Sequence, residues 1–196
     1  GRRNTLFTNG DFETWSGTNV LSSWTYATGA ATTNYVQESG AANIQTGSYS
    51  LKVVGTGAVA TLTLTQAAPT SLQVKKRYVV GCWIKGSAGT SAGGLTISFT
   101  GTGYTASSSE KITLNTTALQ STSWTHYKFY ITVPANIPSD FKIAISFTSS
   151  FNGTCYLDDI HLGIPTYHGG VNYCVFEGAG KFLKGDKHTL TVSNDD

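Results

Sequence analysis

Apolar and polar side chains alternate residue by residue in run after run of this chain: 48–54, 60–64, 77–85, 95–99, 124–133, 141–147 and 155–162. A pleated strand points successive side chains to opposite faces, so this period predicts strands with one buried face and one wet face. No stretch keeps the 3.6-residue period of an amphipathic helix for long. Gly-, Ser-, Thr- and Asn-rich stretches, such as 86–94 and 101–109, separate the runs and read as loops. Seven or more such runs at loop spacing predict an all-β, antiparallel sandwich.

Composition excludes several classes of function. Charged residues make up 12% of the 196, and 13 Lys+Arg against 11 Asp+Glu leave a net charge of +2. Soluble domains usually carry about 25% charged residues. So thin a basic surplus offers no footprint for a phosphate backbone, which argues against a nucleic-acid partner. No apolar run is long enough to span a membrane as a helix. Aromatic residues (12%) and 22 Gly suit strands and tight corners. The opening Gly1-Arg2-Arg3-Asn4 does not read as a signal peptide, and the lack of any Met leads to the expectation of a processed or excised segment.

Cys82, Cys155 and Cys174 form no Cys-x-x-Cys pair, so zinc-ribbon and thioredoxin chemistry have no support. Cys82 and Cys155 sit in strand-like runs, where both a mutual disulfide and two small buried thiols remain open. His126, His161, His168 and His188 show no metal-ligand spacing, and alternation places His126 and His161 singly on a strand face. There is no Gly-x-Ser-x-Gly elbow for a nucleophilic serine. Gly101-Thr102-Gly103 lacks the Lys of a phosphate loop. With eleven acids, the paired carboxylates of a glycosidase are not expected, and no enzymatic activity is.

Near Gly163-Ile164-Pro165 the pattern changes. Residues 1–164 are expected to form the sandwich, and 165–196 a small β-hairpin or assembly tail with strands near 173–177 and 188–192. A two-strand hairpin is marginal alone, so this tail is expected to pack on the sandwich or join copies into a homo-oligomer.

Five motifs carry a resemblance. They are 6–15 (Leu-Phe-Thr-Asn-Gly-Asp-Phe-Glu-Thr-Trp), 47–53 (Gly-Ser-Tyr-Ser-Leu-Lys-Val), 83–86 (Trp-Ile-Lys-Gly), the Trp124 strand, and 156–162 (Tyr-Leu-Asp-Asp-Ile-His-Leu). In this order, over about residues 5–163, the chain resembles the carbohydrate-binding modules of the galactose-binding-like superfamily. The likeness is to the xylan- and glucan-binding modules fused to glycoside hydrolases. It implies a jelly-roll sandwich whose opening corner and closing strand meet around a structural calcium. Glu13 with Asp158 or Asp159 would supply carboxylates to that ion, alternation allowing only one of the two aspartates as a direct ligand. The same acids could instead cap turns and pair with Lys52 without a metal.

Sugar binding calls for exposed aromatic rings that cover the apolar face of a pyranose. Trp83, mid-strand, and Tyr104, in a Gly/Thr loop, are the first candidates, followed by Tyr35 and Tyr26. Trp15, Trp24 and Trp124 are expected in the core. Residues 173–195 resemble the ends of bacteriophage structural proteins, including capsid decoration and tail components. The expectation is therefore a non-catalytic sandwich, extracellular or on a virion surface, that binds glycans, assembles with other virion proteins, or both. The alternatives are a binding module of a secreted glycoside hydrolase and a purely structural virion subunit.

Overall fold

The computed structural model describes residues 5–165 apart from 31, 59 and 60. The chain divides into two units, Gly1–Pro165 and Thr166–Asp196. The C-terminal β element expected over 165–196, with Cys174, lies outside the described residues beyond Pro165.

Along the chain come β1 (Trp15–Gly17), β2 (Val20–Leu21), β3 (Thr25–Thr28), β4 (Tyr35–Glu38), β5 (Ser50–Thr56) and β6 (Leu62–Ala67). Then follow β7 (Arg77–Lys85), β8 (Leu95–Thr100), β9 (Lys111–Leu114), β10 (Thr125–Thr132), β11 (Lys142–Phe147) and β12 (Asn152–Gly163). A 3₁₀ turn at Ala41–Asn43 and the one-turn helix α1 (Thr116–Leu119) are the helical pieces among the described residues. No helix there is long and apolar enough to cross a membrane.

Two five-stranded antiparallel sheets form the expected sandwich. The first runs β10-β7-β12-β5-β4 and the second β3-β6-β11-β8-β9, with β1 and β2 as a separate hairpin. The alternation read from the sequence is what joins them. In β7, Tyr78, Val80, Cys82 and Ile84 are buried, while Arg77, Val79, Trp83 and Lys85 stay at least partly exposed. Leu62, Leu64, Ile97, Phe99, Ile143, Ile145 and Phe147 do the same from the second sheet, and both sets belong to one hydrophobic core. Cys82 and Cys155 are both free thiols buried in that core, which closes the disulfide alternative.

The two ends of this unit converge. Leu6 N donates to Leu162 O (3.0 Å) and Ile160 N donates to Gly10 O (2.8 Å), so the opening segment lies against β12. Asn9, at φ 51°, is the pin of the opening corner: its Nδ2 donates to the carbonyls of Thr14 (2.9 Å) and Ser22 (2.8 Å), and Thr14 N donates to its Oδ1. Asparagine tolerates this left-handed backbone because its short amide can bond locally.

Candidate functional site

The outer side of the first sheet gathers aromatic and basic side chains. Strand register decides which residues share it. Trp83 pairs with His126 on β10 and with Asp158 on β12; Gly81 pairs with Lys128 and His161; Val79 pairs with Tyr130 and Gly163. Directly paired residues share a face, so Trp83, His126, Lys128, Tyr130 and His161 all project away from the core. The Trp83 and His126 rings lie 5.0 Å apart, and His126 and His161 are 5.4 Å apart and within 7° of parallel. Gly81 makes room for that pair. A Cβ there would sit 2.4 Å from His161 Cε1 and 2.7 Å from His126 Nε2. Nearby, Arg77 places its guanidinium 4.5 Å over the Tyr130 ring, and Lys85 lies 5.7 Å over Tyr156.

His161 reaches this side through a break in the period. Between Asp158 and His161 the register with β7 shifts, and Asp159 takes φ 46°. Strict alternation would set positions 158 and 161 on opposite faces. The bulge inserts an extra residue and turns both outward. The structure thus joins two histidines that alternation had placed singly.

The loop between β4 and β5 closes one end of the face. Asp158 is fully buried, and its Oδ2 accepts from the amides of Gln45 (2.9 Å) and Thr46 (3.0 Å), while Oδ1 accepts from Asp159 N (2.7 Å). Burial pushes the Asp158 carboxyl up to about 6, against the opposing pull of those amides. Glu13 Oε1 accepts from Ser48 N (2.9 Å) and Tyr49 N (3.0 Å) on the same loop. Lys85 Nζ holds it from the sheet side, donating to Ala42 O (2.6 Å) and Asn43 Oδ1 (3.0 Å).

The calcium implied by the resemblance needs six to eight oxygens around one point. Glu13 and Asp158 do anchor one loop, as convergence of the chain ends requires. Here, however, backbone N–H groups take their carboxylate oxygens. Among the described residues no group of three or more His, Cys, Asp or Glu could hold a metal ion.

The remaining candidates separate. Trp83 is half-buried and faces outward, as a platform requires. Tyr35 does not: it is 1% exposed, lies 5.0 Å from Tyr26, and donates its hydroxyl to Thr28 O (2.7 Å). A ring so enclosed offers no face to a ligand. Tyr26 packs on the core, and its hydroxyl oxygen accepts from Leu21 N (2.6 Å). Tyr104 also packs on the core, edge-on to Phe141 at 5.1 Å, and belongs to the β8–β9 connection of the second sheet, so it shares no surface with Trp83. Trp24 is buried as expected, with Trp15 packed against the core, but Trp124 is half-buried and neither in the core nor packed on it. Its indole Nε1 is buried without a hydrogen-bond partner.

A family model described as a carbohydrate binding domain matches residues 4–150. The chain belongs to this family. Solved structures with the same fold include three of special interest. The arabinose-bound MgGH51 α-L-arabinofuranosidase is 14% identical at a TM-score of 0.63, over 83% of this carbohydrate-binding module and 27% of the enzyme chain. The CBM22-1 xylan-binding domain of Paenibacillus barcinonensis Xyn10C is 12% identical at 0.55, over 83% and 95% of the two chains. The enzymatically active domain of bacteriophage CBA120 tailspike protein 4 is 20% identical at 0.55, over 82% and 21%. The module thus spans about a quarter of the first and a fifth of the third. No curated protein matches the chain.

Proposed function

We propose that this module binds a polysaccharide on the outer side of its first sheet, with Trp83 as the platform, and that it acts by binding alone. The observation that carries this is the half-buried Trp83, His126 and Tyr130 rings on a sheet face away from the core, with the buried His161 ring stacked on His126. Flat rings cover the apolar face of a sugar, and a few placed polar groups fix its orientation. Membership of the carbohydrate-binding family supports the ligand class, and the similar xylan-binding domain supports a polymer. The setting is proposed as one part of a longer extracellular polypeptide, of the hydrolase or the tailspike kind, since both kinds contain a similar sandwich.

Isothermal titration against xylan, galactan and β-glucan tests the assignment. At least one polymer is expected to bind, and Trp83→Ala is expected to lower affinity by roughly tenfold or more, the equivalent of about 1.4 kcal/mol, at unchanged melting temperature. Tyr104→Ala should leave affinity unchanged. Equal binding by wild type and Trp83→Ala would refute the platform.

A further inference from the structure

The charges on this face are unevenly matched. On its β4–β5 side, Lys52 Nζ lies 4.0 Å from Glu38 Oε2. Lys85 is committed to the Ala42 carbonyl and the Asn43 side chain. Asp158 is buried with its carboxylate turned into loop amides, so it presents no charge to a ligand. On the β7–β10 side stand Arg77 and Lys128, both exposed, and neither has a carboxylate within ion-pair distance among the described residues. Arg77 is held in place by its stack on Tyr130.

These groups form a line. Along β7, Gly81, the partner of Lys128, is two residues from Trp83, and Arg77 is four residues further on. At about 3.3 Å per residue, the line from Trp83 to Arg77 runs about 20 Å along the strand. That length suits several sugars rather than one.

Resting on the glycan-binding assignment above, we propose that the ligand is an acidic polysaccharide, whose sugar rings carry carboxylates that Lys128 and Arg77 receive while Trp83 stacks on a ring further along the chain. The cations discriminate because a neutral chain leaves them solvated and gains nothing from them, whereas each carboxylate gains a charge-assisted contact. Arg77 offers a planar fork that matches a carboxylate, and Lys128 a point charge.

The test compares polygalacturonate with its methyl ester, the same backbone without the charge, alongside the neutral polymers and dextran sulfate. The full chain is expected to bind polygalacturonate roughly tenfold more tightly than the ester at low salt, with the preference shrinking as salt rises. Lys128→Ala with Arg77→Ala is expected to abolish the preference while leaving Trp83-dependent binding of any neutral polymer in place. Several results would overturn the inference: equal affinity for the acid and the ester, a preference that survives both substitutions, or dextran sulfate binding as tightly with Trp83→Ala as without it. Binding confined to neutral polymers overturns this inference alone, whereas no binding to any chain removes the glycan assignment with it.

Discussion

Gly81 and Asp158 show how single positions set this face. An alanine methyl at 81 would press on both imidazoles from within 2.7 Å. Ring ends can swing aside, so Gly81→Ala should cost only about 1–2 kcal/mol in chemical denaturation, while glycan affinity falls because the rings beside Trp83 are displaced. Asp158 makes a pH prediction. Its folded carboxyl lies up at about 6, above its unfolded value near 4, so the folded state binds the extra proton between those limits. The contribution is full below about pH 4 and is lost as pH rises through 6, on the order of 3 kcal/mol for two units. Denaturation from pH 4 to 7 should show wild type losing that much stability relative to Asp158→Asn. A gain relative to the variant would mean that the amide bonds outweigh burial.

At the scale of elements, the β4–β5 loop is held by acids from two remote segments, Glu13 near the start and Asp158 in the last described strand. Gly47 lets the loop approach: at φ 75°, any Cβ there would fall 2.1 Å from Glu13 Oε1. Gly47→Ala is therefore expected to lower stability by about 1–3 kcal/mol and to weaken glycan binding, both measurable on one purified variant. The strands themselves were legible, because alternation in segments such as 77–85 and 141–147 reports a buried face directly. The convergence of residue 13 and residue 158 on neighbouring parts of the fold was legible too, through the ordered motifs. The histidine pair was not. A period-two reading carries no term for the bulge at Asp159, and that bulge alone brings His161 beside His126. Tyr104 misled for a different reason: its Gly/Thr loop in the sequence says nothing about the Phe141 ring it packs against. Trp124 misled in the opposite direction, since an aromatic at the mouth of an alternating run looks like core.

Across the molecule, the core described here and the proposed binding face belong to the unit Gly1–Pro165. A chain cut after Pro165 should accordingly keep its glycan affinity within about twofold of the full chain. A larger loss would assign part of the site to residues beyond the cut. The two sheets present different outer surfaces. The second pairs Thr63, Thr96 and Ser146 on its outer side and lacks the aromatic row of the first. The proposed site therefore lies on one side of the sandwich, and nuclear magnetic resonance can tell the sides apart without any substitution. Adding polygalacturonate or the tightest neutral polymer should shift the Trp83 indole and the signals of His126, Lys128 and His161, leaving the amides of β6, β8 and β11 in place. Shifts centred on those second-sheet strands, with Trp83 unmoved, would contradict it.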